Sequence, residues 1–227
     1  MLALADEARD AVTQSAAPHG TVTISGPESV CTYRLPALMQ RCRADFPDVR
    51  LVFRPLPSPD LIPGVRGGSV DVAFVLDEPK QIADLCVEPL VTEPLAIVTA
   101  PGHRLTACAS VGPQDFTDET MLLTEAGCTY RSRFLALLND AGIYPHSLFE
   151  FGSVEAIKQC TLAGMGVAVL PTMTVARETA DGRLVPLSWR GPALTMATQL
   201  VWHGGRWLSP AMRAVITLAR VIYRGDE

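Results

Sequence analysis

The apolar positions of the chain follow two alternating rhythms. Short runs with β-branched residues at every second place, or apolar throughout, alternate with longer stretches in which apolar residues recur every three or four places. "TVTIS" (21–25) is the first run of the strand kind. In the following "SVCTYRLPALMQRCRADFPDV", Leu35, Leu38, Met39, Cys42 and Phe46 share one helical face. Pro36 is tolerable there only near the helix start, and Phe46-Pro47-Asp48 ends it. "VRLVFR" (49–54) predicts a second strand, a short segment led by Ser58 follows, and "GSVDVAFVL" (68–76) predicts a third whose near-continuous apolar run suits burial on both faces. Strand, helix, strand, helix, strand implies a parallel sheet with right-handed crossovers.

"PLAIVTAPGHRL" (94–105) holds a strand closed by Pro101 and Gly102, and the pattern then starts again. "TMLLTE" (120–125) reads as a strand, "TYRSRFLALLNDAG" (129–142) as a helix with Phe134, Leu137 and Leu138 inward, and "SLFEFG" (147–152) as a strand. "SVEAIKQCTLAG" (153–164) is a helix with Ser153 placed to cap it and glycine to close it. "GVAVLP" (166–171) and "LTMATQLVW" (194–202) are strands, and "SPAMRAVITLARVIY" (209–223) is an amphipathic helix with Ser209 as N-cap and Pro210 at its first position. Residues 1–17 read as the end of a weakly amphipathic helix, broken by Pro18, His19 and Gly20. Two α/β units in tandem are the natural reading.

Composition narrows the function classes. With 48% hydrophobic and 19% charged residues the main body is expected to be folded. A net charge of −5, with no cluster of Lys and Arg, argues against a nucleic-acid surface on this chain. No apolar run reaches the roughly 20 residues of a bilayer-spanning helix, and no basic segment leads into an apolar core at the N-terminus, so a cytoplasmic location and no membrane partner are expected. The six cysteines contain no C-x-x-C pair and no histidine at metal-ligand spacing, which predicts reduced thiols, no metal and no cofactor.

The candidate chemistry is that of binding rather than catalysis. A nucleophilic Cys128 would need a base held by a third group, and His19, His103, His146 and His203 form no such signature. "GMGVAVLP" lacks the Lys-Ser/Thr ending of a phosphate loop and enters a strand instead of a helix. No enzyme is therefore expected. Four helices, by contrast, begin soon after strands, near Ser29 and Val30, at Ser58, at Cys128 and Thr129, and at Ser153. Ligands of open parallel sheets bind outside the carboxyl ends of strands, where helix starts present free N–H groups. Hydroxyls there either cap their helices or help grip a small anion or polar organic acid.

From Thr21 onward, "TVTISG", "YRLPALMQRCRADFPDVRLVF", "GGSVDVAFV", "VEPLVTEPLAIVTAPGHRL", "GSVEAIKQCTLAGMGVAVLP", "DGRLVPL" and "WLSPAMRAVI" occur in the order found in LysR-type transcriptional regulators. The chain resembles their effector-binding (regulatory) domain. The resemblance implies two Rossmann-like subdomains of the type 2 periplasmic-binding-protein kind, joined by two crossover strands near 98–100 and 198–201, with a small effector in the cleft between them. Residues 21–99 and 200–227 are expected to form subdomain I and 100–199 subdomain II, with 1–20 as the end of a linker helix and a connector. The family's winged helix-turn-helix would precede this region, so DNA contact is expected only through that separate segment. Pro63 and Gly64 depart from the family pattern, where the helix runs uninterrupted.

Carried over by position, the resemblance assigns effector contact to Ser29, Val30, Ser58, Glu125, Gly127, Cys128, Thr129, Tyr130, Arg131 and Ser153. Arg131 either pairs with a ligand carboxylate or stands as a solvated helix-face arginine. Relatives assemble as homodimers and homotetramers, so self-association is expected. Two alternatives stay open. Peroxide-sensing relatives carry a reactive cysteine near the place of Cys128, although no resolving cysteine follows here before Cys160. A solute-binding protein would share the two-lobed architecture.

Overall fold

A computed structural model describes residues 17–224. The helix expected over 1–17 lies almost wholly outside the described residues. Packing divides the chain into two units, the first running to Val91 and resuming at Ala197, the second comprising Thr92–Met196. These boundaries fall at 91/92 and 196/197 rather than at the expected 99/100 and 199/200.

In the first unit, β1 (Gly20–Ser25), β2 (Val49–Phe53) and β3 (Val72–Asp77) run parallel in the order β2-β1-β3, and β9 (Thr195–His203) joins β3 antiparallel, with Val72 opposite Trp202. Between β1 and β2 the chain forms not one helix but two, α1 (Glu28–Tyr33) and α2 (Leu35–Asp45). The break at Arg34 goes with Pro36, which has no N–H to continue the ladder of α1 and is accommodated in the first turn of a new helix. Leu35, Leu38 and Cys42 face inward as expected, but Met39 is 40% exposed and Phe46 only half-buried. The face is narrower than the sequence pattern indicates.

The segment after β2 is a full helix, α3 (Ser58–Gly67), which continues through Pro63. Pro63 falls early enough that the carbonyl it deprives, that of Pro59, lies in the first turn. The carboxyl end is closed by Gly68 in the left-handed region (φ 75°) and by the Arg206 guanidinium, which donates to the Val65 and Arg66 carbonyls at 3.3 and 2.6 Å. β3 begins later than expected because Asp71 is spent at the junction: its carboxylate accepts from the Thr23 N–H at 2.7 Å while its own N–H donates to the Thr23 carbonyl. Leu61, Val65, Val70, Ala73, Leu85 and Val201 form a core on this side of the sheet. On the other side α7 (Pro210–Arg224), N-capped by Ser209 Oγ accepting from Met212 N at 3.1 Å, packs against α2 and β1. Arg220 grips both Glu88 oxygens at 2.8 and 2.6 Å, fastening α7 to the beginning of β4 (Leu85–Thr99). Only the part of β4 after Pro94 was legible as a strand.

The second unit repeats the plan. β5 (Thr120–Thr124), β6 (Ser147–Phe151) and β7 (Val167–Pro171) run parallel in the order β6-β5-β7, and β4 joins β7 antiparallel. α4 (Thr129–Asp140) connects β5 to β6 and α5 (Val154–Leu162) connects β6 to β7. Phe134 and Leu138 are fully buried while Leu137 is half-buried. α6 (Thr172–Ala180) and the short β8 (Val185–Pro186), which pairs with β4, were not expected. Val98, Leu122, Ile157, Ala168, Leu170 and Val175 make the core, each side chain of Leu or Ile size contributing roughly 2–3 kcal/mol by leaving water. β6, at the sheet edge, leaves Leu148 and Phe149 at 40% and 46% exposure.

Candidate functional site

β1 and β5 are the leading strands of the two units, and each ends in a hydroxyl residue. Ser25 closes β1 and Thr124 closes β5; they are 0% and 5% exposed, and neither Ser25 Oγ nor Thr124 Oγ1 has a hydrogen-bond partner. Most buried polar atoms are paired, since an unpaired one costs about 1–3 kcal/mol. Both follow apolar strand residues and precede a helix start, at the carboxyl edge where ligands of parallel sheets bind.

In the first unit the turn after Ser25 is tight. A Cβ on Gly26 would lie 3.2 Å from Phe74 Cβ and 3.3 Å from its carbonyl oxygen. Pro27 occupies the N-cap position of α1 with extended backbone, so that helix has no capping side chain. Ser29 and Val30 are 2% and 0% exposed, which confines Val30 to a backbone role in any recognition. Cys31 donates to the Gly26 carbonyl at 3.1 Å, and burial pushes its thiol up to about 12. Ser58 is half-buried as the first residue of α3, behind Pro57 at the N-cap.

In the second unit, Glu125, Ala126 and Gly127 form an exposed turn in which Gly127 takes a φ of 95°, a conformation that favours glycine. Cys128 stands at the N-cap of α4 and is 7% exposed; Tyr130, inside the first turn, is 4% exposed. Burial is the largest influence on the Cys128 thiol and raises it above the ordinary value, outweighing the Thr124 hydroxyl, the Tyr130 phenol and the Arg131 and Tyr130 amides that favour the thiolate. Tyr130 is likewise raised well above its usual value, first by burial and then by the neighbouring sulfur. Thr124, Cys128 and Tyr130 thus form one buried polar cluster, although Thr124 Oγ1 reaches neither neighbour with normal hydrogen-bond geometry. A raised thiol opposes the redox alternative, because the thiolate is the nucleophile that attacks peroxide. All six cysteines are free.

Arg131 is not a solvated helix-face arginine, its side chain being 13% exposed. Its guanidinium is turned into the unit, where Nη1 donates to the Thr124 carbonyl and to Glu150 Oε2, both at 2.5 Å. Arg131 beside it holds the Glu150 carboxyl below the usual range, with a smaller contribution from the Ala126 amide. Thr129 is half-buried as the first residue of α4. Ser153 caps α5, its Oγ accepting from Ala156 N at 3.4 Å. The sequence reading named these loops and did not name Ser25, Thr124 or Glu150. A hydroxyl ending an otherwise apolar strand was a readable signal for the first two; nothing in "SLFEF" announces that Glu150 meets Arg131. Among the described residues no group of three His, Cys, Asp or Glu is placed to hold a metal, and no helix is long and apolar enough to cross a membrane.

Two units, each a parallel trio of strands closed by one antiparallel strand, with polar groups gathered where the leading strand meets its helix, define a ligand-binding domain of the type 2 periplasmic-binding-protein kind. The chain belongs to the LysR family: residues 15–221 match the LysR substrate binding domain. It is 40% identical over 225 residues to the HTH-type transcriptional regulator YwqM of Bacillus subtilis, covering 99% of this chain and 76% of that protein. The regulatory domain of CcmR from Synechocystis PCC6803, solved in complex with 2-PG, superposes with a TM-score of 0.81 at 21% identity, covering 91% of this chain and 99% of that one. The effector binding domain of QuiR, solved with shikimate, gives 0.77 at 19% identity over 91% and 98%. At those identities the structural likeness establishes the fold. The sequence relatives are transcriptional regulators and not enzymes.

Proposed function

We propose that this domain senses a small polar or anionic metabolite at the carboxyl ends of its leading strands, and that the occupied and empty forms differ in how the full-length regulator engages DNA. The observation that carries this reading is the matched pair of buried, unpartnered hydroxyls, Ser25 and Thr124, at corresponding places in the two units. A guest with hydrogen-bonding groups that reaches such a strand end supplies the partner its hydroxyl lacks. The loops named from the sequence, around Ser29, Val30 and Ser58 in the first unit and Glu125 to Arg131 with Ser153 in the second, supply N–H and hydroxyl donors. The guest shifts a regulator only through differential affinity for its two forms.

A thermal-shift screen of metabolites tests this, beginning with shikimate and 2-PG, the guests of two structural neighbours, on the wild type and on Ser29→Ala and Thr129→Ala. A ligand present at about 100 times its dissociation constant stabilises by roughly 2.7 kcal/mol. Loss of that shift in either variant supports the reading, whereas shifts unchanged in both place the site elsewhere.

Self-association belongs to the same proposal. The first unit ends at strand β2, where Met39 and Phe53 are exposed beside a groove of about 480 Å³ lined by Met39, Cys42, Arg43, Pro47, Val49 and Leu51. The second ends at β6 with Leu148 and Phe149. Open apolar edges of this kind invite pairing, here with a second copy in a cytoplasmic regulator, and sedimentation of the chain with and without Phe149→Lys tests it.

A further inference from the structure

The second unit carries a fastening over its own polar cluster. Arg131, in the first turn of α4, reaches back to the carbonyl of Thr124 at the end of β5 and sideways to Glu150 on β6, at 2.5 Å in each case. Glu150 in turn is favoured as a carboxylate by the Ala126 amide in the middle of the intervening turn. One ion pair thereby joins the strand that enters the 125–128 turn, the helix that leaves it, the turn itself and the neighbouring strand. Flanking the turn along the chain are the buried Thr124, Cys128 and Tyr130, 5%, 7% and 4% exposed, with Thr124 Oγ1 unpartnered. The turn itself is three exposed residues ending in Gly127, whose φ is 95°.

We propose that the Arg131–Glu150 pair is a clasp that holds the 125–128 turn shut over the Thr124–Cys128–Tyr130 cluster, and that a guest gains the cluster when this turn opens. The inference rests on the reading of the turn as part of an effector site. It makes Arg131 and Glu150 positioning residues: the cation is spent within the protein, and the guest is met by neutral donors. Glu150 sits on an edge strand with its side chain 48% exposed, so it can be altered without opening the core.

The test needs no effector. Iodoacetamide alkylation at fixed pH, quantified peptide by peptide by mass spectrometry, reports how often Cys128 is uncovered; Cys42, 1% exposed in the first unit, and hydrogen exchange at Met121–Leu123 of β5 report on the rest. Glu150→Gln is expected to speed Cys128 alkylation by about threefold or more, as local opening detached from global unfolding does, with Cys42 alkylation and β5 exchange unchanged. Arg131→Lys, which keeps a cation but ends one bond short of the position of Nη1, the atom that meets both partners, is expected to fall between wild type and Glu150→Gln. A Cys128 rate in Glu150→Gln equal to wild type overturns the clasp. So does a rise matched by faster β5 exchange, which marks the pair as a general support of the unit. A failed metabolite screen leaves these rates untouched, so the two proposals fail separately.

Discussion

Gly166 leaves no room for a side chain in the second unit. It stands immediately before β7, and a Cβ there would lie 2.2 Å from the Thr120 carbonyl oxygen and 3.1 Å from that residue's carbonyl carbon and Cβ. Non-bonded heavy atoms settle at about 3.5–4.0 Å, so Gly166→Ala requires one strand to retreat by more than about 1 Å. Neither can do so cheaply. Thr120 opens β5 and is paired with Ser147, while the Gly166 carbonyl accepts from Thr99 Oγ1 at 3.2 Å. Gly166 is not among the positive-φ glycines, so without the clash alanine would stabilise by about 0.4–1 kcal/mol through the unfolded chain. Overpacking costs roughly 1–3 kcal/mol, and obstruction by backbone puts this site at the upper end. With each kcal/mol worth roughly 4–8 °C in a unit of about a hundred residues, a net loss of about 2 kcal/mol lowers the second unit's midpoint by some 8–16 °C. Hydrogen exchange at β5 and β7 during thermal unfolding isolates that unit. Gly67→Ala is the control: it lies at the end of α3, has nothing within 4 Å of its Cβ position, and is expected to be neutral or stabilising. An unchanged midpoint in Gly166→Ala, or equal effects at the two glycines, refutes the steric argument.

Two further outcomes are expected. Lys158 and Glu178, 5% and 7% exposed, meet at 3.0 Å between α5 and α6; Lys158→Met leaves the carboxylate only the more distant Arg183, at 3.6 Å, and costs about 3 kcal/mol in urea unfolding at neutral pH. Burial pushes the Glu178 carboxyl up, but Lys158 and the other partners prevail and its folded value lies below the ordinary one. The pair's contribution is therefore full above the unfolded carboxylate range and is lost as pH falls through the folded value, so the gap between Lys158→Met and wild type narrows in acid; a constant gap refutes the assignment. Cys128, its thiol raised by burial, is expected to stay unmodified after mild peroxide, and sulfenylation or a disulfide seen by mass spectrometry restores the redox reading.

What could be read from the residues follows how local the cause is. The parallel trios were legible because β-branched and apolar runs such as "TVTIS" and "GVAVLP" declare buried strands by themselves, and Ser153 and Ser209 cap where they were expected to because a cap is decided within four residues. The break at Arg34 was missed although Pro36 was noticed, since a helix interrupted for one residue leaves its apolar spacing almost intact. The first half of β4 was missed because Glu88, Pro89 and Glu93 interrupt its apolar pattern; Glu88 belongs there only through Arg220 and Arg224 of α7, far along the chain. The site divides in the same way. Loops at strand ends are a property of the topology, and the resemblance named them. Arg131 was given a solvent or ligand partner because its true partner, Glu150, is reached only when β5 and β6 lie side by side.

Unpartnered buried atoms are not in themselves a binding site. Gln199 Oε1 and Glu178 Oε2 are also without partners, yet Gln199 spends its amide N–H groups on the Asp77 and Glu78 carbonyls and Glu178 faces Lys158 between two helices. Both belong to networks that serve the fold, and one lone oxygen is the residue of satisfying the others. Ser25 and Thr124 differ in place: each sits at the carboxyl end of a strand, Ser25 with no hydrogen-bond partner and Thr124 beside Cys128 and Tyr130 without normal hydrogen-bond geometry to either. Alanine at Ser25, or valine at Thr124, would fill nearly the same space without the unpaired oxygen. Because a cost of about 1–3 kcal/mol for each unpaired group is large against the 5–15 kcal/mol of a typical fold, its presence at matching positions in both units is better explained by a guest's needs than by the protein's own.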